Sequence, residues 1–401
     1  MSYNFLCISS YYKGSDFLRA CHGKGNRVYL VTSESLRDAA WPHDALEDIF
    51  FMEEIKPYVW NMDHLTEGLA QFIRSTQVDR VVALDDFDVE KAAHLREVFR
   101  IPGMGNTTQR YFRDKLAMRQ KALDENIAVP QFSAIFNDLK ISEFIAAVDA
   151  PWVLKPRSEA SATGIQKVNS ADELWAAIHG LGAKRHDYLV EQFRPGSVFH
   201  VDTLSYNGKV VYSSVSRYLD TPMEVAHGGG IFRTITLAED DPNRSALIAL
   251  NCNLLKAFGL KHGASHSEFI YGQDGKWYFL ETSARVGGAF IAEKIAYATD
   301  INLWAEWANI EHAVADQTHY TPPAPNAHCG GLLVALTNTA QPNTSFLNND
   351  DAVQTLEKDH HIAFVLRDKK TNVVHDKLDT YASYVAEHLL ESLPPSDHPT
   401  N

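Results

Sequence analysis

The sequence predicts a mixed α/β and α+β protein of several domains, led by a Rossmann-like parallel α/β domain. Three observations carry this. Up to residue 99, short apolar runs alternate with helical patterns, the arrangement that lays strands parallel beneath covering helices. Beyond residue 103 the pattern changes to strand pairs joined by turn residues such as Asn207-Gly208, which belong to antiparallel hairpins. A length of 401 residues with 45% hydrophobic side chains exceeds one ordinary domain and can fill real cores.

The parallel domain reads as strands at 5–8, 27–31, 49–51 and 80–84, with helices at 16–22, 65–74 and 89–99 between them. No G-x-G-x-x-G follows the first strand, so a dinucleotide site is not indicated. Asp85, Asp86 and Asp88 close the last strand, and capping of the following helix is the preferred reading over ligand contact. Ile101-Pro102-Gly103 breaks the alternation and puts a domain boundary near residue 108. Strong helix formers fill 113–126, and Lys115 opens that helix beside Asp114. A strand at 152–156 and another at 165–168 follow, then a helix announced by the capping box Ser170-Ala171-Asp172-Glu173. Residues 188–193 read as a strand leaving this small unit, 198–206 and 209–216 as a hairpin, 221–230 as a loop, and 244–259 as a helix. A second hairpin spans 266–283, with a helix at 291–299 behind it; strands at 331–336 and 362–367 and a helix at 379–390 complete the chain.

Charge and cysteine usage narrow the function classes. Lys+Arg of 37 against Asp+Glu of 51 gives −14, which argues against nucleic-acid or anionic-membrane surfaces but permits a local basic pocket. Cys7, Cys21, Cys252 and Cys329 are scattered, as in a reduced cytoplasmic protein, and neither a disulfide framework nor a zinc site is indicated. No basic leader and no apolar run of membrane length is evident, so a cytoplasmic, unanchored protein is expected.

Chemistry concentrates in two stretches. In the later hairpin, alternation of side chains lets Glu268 and Glu281 share one sheet face, and the turn Gly272-Gln273-Asp274-Gly275 would bring them side by side. Paired carboxylates repel unless a cation lies between them, and an all-oxygen pair suits Mg²⁺. Arg285 and Gly287-Gly288 follow directly, offering an anion fork and a backbone that a ligand can approach. An ordinary hairpin with two solvated glutamates carries equal weight on this stretch alone. Earlier, Lys155 ends an apolar strand and precedes the small-residue run 157–164, whose backbone N–H groups suit phosphates. A mobile hairpin with a surface lysine is the alternative.

In order and spacing, Lys115, Val153-Leu154-Lys155-Pro156 with its small-residue loop, Val190-Glu191-Gln192-Phe193, and then Glu268 and Glu281-x-Ser283-x-Arg285-x-Gly287-Gly288 resemble the ATP-grasp superfamily of carboxylate ligases. The resemblance covers about residues 1–310. It implies an N-terminal domain at 1–108, two ATP-grasp α+β subdomains at 109–187 and 188–315, and a C-terminal α+β region at 316–401 packed on the second. It also implies that Lys115 and Lys155 contact ATP phosphates beneath the loop holding Ser161 and Gly164. The strand Glu191-Gln192-Phe193 would read adenine through its backbone. Glu268 and Glu281 would hold Mg²⁺, and Arg285 would bind the substrate carboxylate or acyl phosphate, with Gly287 and Gly288 beside it. Catalytic roles thus fall on Arg285, Glu281, Lys155 and His227, the last as acceptor or relay of a proton from the attacking amine. Ser283 stands where many members have Asn, and Val198 where many have a ribose-binding Glu; Asp202 is the candidate substitute. Glu224 and His227 look like the amino-acid-recognising pair of ATP-grasp dipeptide ligases, and a surface loop carries the same residue types. Arg233 is a second-choice anion contact.

The implied activity is ADP-forming ligation of a small carboxylate to an amine through an acyl phosphate. The alternatives are a carboxylase-type member acting on bicarbonate or formate, and a nucleotide-binding regulatory protein without turnover. Small-molecule substrates are the expected partners, with a homodimer also expected of such ligases.

Overall fold

The computed structural model describes residues 1–159, 163–228, 230–347 and 353–391. The first sheet is parallel, in the order Asp48–Met52, Arg27–Ser33, Asn4–Ser9, Arg80–Ala83. Asn4–Ser9 and Arg80–Ala83 are buried throughout, which explains their continuous apolar runs. Chain order reverses between Asn4–Ser9 and Arg80–Ala83. The loops after these strands, carrying Lys13 and Asp85 to Asp88, therefore open at the carboxyl-end crevice where α/β sheets hold ligands.

A second, antiparallel sheet runs Phe132–Ala134, Tyr188–Gln192, Trp152–Pro156, Gln166–Val168. The helices Asp138–Ala147 and Ala171–Leu181 cover it through a separate core of Ile135, Ile141, Leu154, Leu174, Ile178 and Val190. The capping box is formed: Ser170 Oγ accepts from Glu173 N at 3.2 Å, and Glu173 reaches back to Asn169 N at 2.8 Å. Tyr188–Gln192 does not leave this unit as expected; it lies between two partners and satisfies its backbone on both edges.

The third sheet has eight antiparallel strands, in the order Trp277–Ser283, Gly263–Gly272, Gly196–Tyr206, Lys209–Tyr218, Phe232–Thr236, Cys329–Leu336, His361–Asp368, Val353–Thr355. Its last three strands come from beyond residue 316 and join through the pairing of Phe232–Thr236 with Cys329–Leu336. Asn207 and Gly208, at φ 52 and 71, make the tight turn that the dipeptide announced. The helix Lys115–Asp124 packs on this sheet, with Met118 and Ala122 among Phe199, Phe258 and Phe279. The helix Leu303–Asp316, not anticipated from the sequence, carries Trp307 against Phe17 and Glu311 to Arg80, so the first and third sheets share one core. The stretch expected as a loop at 221–230 contains the helix Pro222–Gly228. The last helix, Thr371–His388, begins eight residues before the expected start at 379. Among the described residues, no helix is long and apolar enough to cross a membrane.

Candidate active site

Glu268 and Glu281 face each other in register on adjacent strands, one position from a bulge between Glu268 and Phe269. Tyr218 Oη donates to Glu268 Oε1 at 2.7 Å, and Glu281 Oε2 lies 2.9 Å from Lys115 Nζ. Asp114 caps the helix there by accepting from Leu116 N at 3.0 Å, which sets Lys115 at the first turn. The same ammonium donates to the Glu159 carbonyl at 2.6 Å, tying the loop ahead of residue 160 to the carboxylate pair. Burial pushes the Glu281 carboxyl up, but Lys115 more than offsets this and holds it below the usual carboxylate range. Within the pair, Glu281 has Lys115 as its counter-ion, while Glu268 meets Tyr218 and His266.

Lys155 is buried at the base of the small-residue loop and pairs with Glu191 Oε1. Arg119 Nε donates to Glu191 Oε2 at 2.9 Å. Burial pulls the Lys155 ammonium down to about 8 against the opposing pull of Glu191. The Glu191 side chain is thus engaged in an ion triad. The N–H groups of Gln192 and Phe193 donate to the carbonyls of Gln131 at 2.7 Å and Pro151 at 3.0 Å. Gly164 has φ +69, where a side chain would be strained, and a Cβ there would stand 2.9 Å from Pro156 Cγ. Ser161 lies outside the described residues.

Arg285 is largely buried and donates from Nε and Nη2 to Asp86 Oδ2 at 2.8 and 2.6 Å. Burial disfavours its charge, yet Asp86 and Asp85 raise its pKa overall. Lys13 Nζ pairs with Asp85 Oδ2 at 2.7 Å, and a Cβ on Gly288 would lie 3.8 Å from that ammonium and 4.0 Å from Arg285 Nη1. The crevice of the first sheet therefore meets the arginine turn of the third. Asp86 Oδ1 is buried without a hydrogen-bond partner among the described residues. The expectation that these aspartates cap the helix beginning near Val89 is corrected: Asp85 accepts from Phe87 N at 3.2 Å and so caps the 3₁₀ turn Asp86–Asp88, Asp86 binds Arg285, and Asp88, at the N-cap position, makes no side-chain cap and binds Lys91 at 2.9 Å. Sequence reading missed the Asp86–Arg285 contact because 199 positions separate the partners; the available signal was the acidic run at a strand's carboxyl end.

The structure does not bring every candidate to this centre. Glu224 is exposed and accepts from Thr221 N and Oγ1 at 3.0 and 2.7 Å, closing the first turn of its own helix. The side chain of His227 lies outside the described residues. Arg233 spans Asp220 and Asp379 at 2.8 and 2.7 Å, a surface clamp between strand and last helix. Asp202 is fully buried between His200 Nδ1 at 2.7 Å and His266 Nδ1 at 2.8 Å, so its carboxylate is not open to a ribose. His200, Asp202 and His266 are ligand-type residues within 4.8 Å of one another. Each Asp202 oxygen already faces a ring nitrogen, and the backbone at Gly287 lies so close that a Cβ there would come within 2.6 Å of Asp202 Oδ1. Burial lowers the His200 ring to about 4; for His266, burial also lowers it, but Asp202 and Glu268 together raise it to about 9.

These parts bring lysine, arginine and carboxylate side chains together where the three sheets meet. Residues 148–293 match the family model described as ATP-grasp domain. The L-arginine-specific L-amino acid ligase of Bacillus subtilis is 26% identical over 248 residues, 60% of each chain. A D-alanine–D-alanine ligase of Pseudomonas fluorescens is 25% identical over 197 residues, covering 48% of this chain and 60% of that one. The matched part thus spans 60% of the length of these relatives. The crystal structure of an L-amino acid ligase from Bacillus licheniformis superposes with a TM-score of 0.74 at 17% identity, covering 98% of this chain and 99% of that chain.

Proposed function

We propose that the chain is an ATP-dependent carboxylate–amine ligase. ATP phosphorylates a small carboxylic acid, an amino acid in the version the relatives favour, and an amine attacks the acyl phosphate with release of ADP and phosphate. The observation that carries the reading is the Glu268–Glu281 rung with Lys115 on one side and the Arg285 turn following directly. Two lysines and an arginine around a carboxylate pair supply what phosphoryl transfer requires, which is positioning and neutralisation.

Glu268 and Glu281 would hold Mg²⁺, which supplies neutralisation of the phosphate oxygens when bound. The donor set fits a hard cation: both carboxylates share one rung, and the Tyr218 and His266 contacts fall on Glu268 Oε1, leaving Oε2 for a metal. Lys115 and Lys155 would exchange carboxylate partners for phosphates. Arg285, its plane fixed by Asp86, would receive the substrate carboxylate beside Gly288. Soluble cytoplasmic metabolites are the expected substrates.

The test is phosphate release with Mg·ATP and amino acids offered singly and in pairs, with bicarbonate and formate in separate arms and products identified by mass. Amino-acid-dependent release of ADP with a condensed product is expected. Release that answers only to bicarbonate or formate, or none from folded protein, overturns the ligase reading.

A further inference from the structure

Beneath the carboxylate pair lies a buried polar array that the ligase chemistry above does not use. Residues 200 and 202 alternate onto one face of Gly196–Tyr206; across the sheet His200 pairs with Glu268 and Asp202 with His266, while Glu268 and His266 pair in turn with Glu281 and Ser283. Two rungs therefore run across three strands, one carrying the proposed metal ligands and the next an Asp–His dyad. Hydrogen bonds join them. Thr234 Oγ1 meets His200 Nε2 at 2.7 Å, His200 and His266 each present Nδ1 to Asp202, and His266 Nε2 stands 3.5 Å from Glu268 Oε1. Tyr218 Oη closes the chain on that same oxygen at 2.7 Å.

The dyad also meets the arginine turn. Backbone at Gly287 lies so near it that a Cβ would fall 2.6 Å from Asp202 Oδ1 and 3.1 Å from His266 Nδ1. On the far side, the helix Ile291–Thr299 that follows this turn is pinned by buried Lys294, whose Nζ donates to Ser216 Oγ at 2.7 Å. One carboxylate thus fixes a histidine that touches Glu268, and fills the space into which Gly287 folds.

We propose that Asp202 and His266 are positioning residues of the metal site: through the His266 ring and Tyr218 they hold Glu268 with Oε2 presented to the cation, and they seat the Arg285–Gly288 turn. This inference rests on the ligase reading for the identity of Glu268 as a metal ligand. Partners that orient a ligating group sharpen metal affinity, because they fix the ligand before the ion arrives.

The test measures Mn²⁺ binding to the full chain by electron paramagnetic resonance with ADP present, and ADP binding without metal by calorimetry. Asp202→Asn and His266→Gln are expected to weaken Mn²⁺ about 10-fold or more. Metal-free ADP affinity should change by less than about threefold, with cooperative melting retained. Mn²⁺ affinity within about twofold of the parent in folded variants overturns the proposal. So does an equal loss of Mn²⁺ and metal-free ADP binding, which would mark a merely structural role. Should Asp202→Asn fail to fold, Tyr218→Phe, which deletes one oxygen, decides on the same criteria. A parent chain that binds no Mn²⁺ with ADP overturns the ligase reading and this inference together. Normal parent binding with unaffected variants overturns this inference alone.

Discussion

Replacing Lys155 with Met separates two roles that the Lys155–Glu191–Arg119 triad combines. The ammonium is buried and pairs with Glu191, whose other oxygen takes Arg119 at 2.9 Å. Breaking a buried pair by removing one partner costs about 3–5 kcal/mol, because the other charge is left uncompensated. Arg119 still serves Glu191, so the lower end, about 3 kcal/mol, applies to Lys155→Met. The methionine keeps the stem volume, and no cavity term adds. A charge-assisted contact with phosphate is worth about 1.5–3 kcal/mol, so ADP affinity should fall roughly 10- to 150-fold. The double variant Lys155→Met/Glu191→Gln leaves buried Arg119 without its counter-charge and should be less stable than the single variant by about 3 kcal/mol, with no recovery of ADP binding. Thermal melting and calorimetric ADP titration of parent, single and double variants measure both quantities. Nucleotide affinity unchanged in folded Lys155→Met, or a double variant at least as stable as the single, would refute the assignment.

Further outcomes follow from the same geometry. Glu281→Gln keeps the shape but removes the charge that Lys115 faces, so kcat should fall about 100-fold or more while ADP affinity changes little, as read in steady-state and binding assays. Arg285→Lys replaces a fork that spans Asp86 by a point charge, and the KM for the acid substrate should rise about 10-fold or more. The pH profile has a defined sign. Phosphates favour the charged Lys155, whose value in the free protein is lowered to about 8, so kcat/KM for ATP should be full below that pH and decline above it. Lys155→Arg, charged throughout, should lose that limb; a profile identical to the parent's would remove Lys155 as its cause.

Local chemistry made much of this legible. The parallel sheet followed from apolar runs, and the facing of Glu268 and Glu281 from strand alternation around a Gly-rich turn, because these depend on residues close in sequence. What escaped was set by distant partners. The helix Leu303–Asp316 is apolar on a broad face because it is covered by the first domain through Phe17 and Arg80, which its own spacing does not reveal. Phe132–Ala134 and Phe232–Thr236 are short strands fixed by neighbours on both sides or at one edge, with little alternation to read. Asp86 looked like a cap until folding brought Arg285 to it, and nothing local showed that the Glu191 side chain would be enclosed by Lys155 and Arg119.

The lysines proposed to grip one nucleotide are mounted on different bodies. Lys115 rides a helix rooted in the core of the large sheet, whereas Lys155 belongs to the small sheet with its own interior. The first and third sheets share one interior, whereas the small sheet keeps its own and is tied to the helix of Lys115 through Arg119–Glu191 and Asp114–Arg157. A nucleotide held by both lysines would therefore bridge two separately packed bodies, so a cross-link fixing one against the other would change its binding without altering any group that touches it.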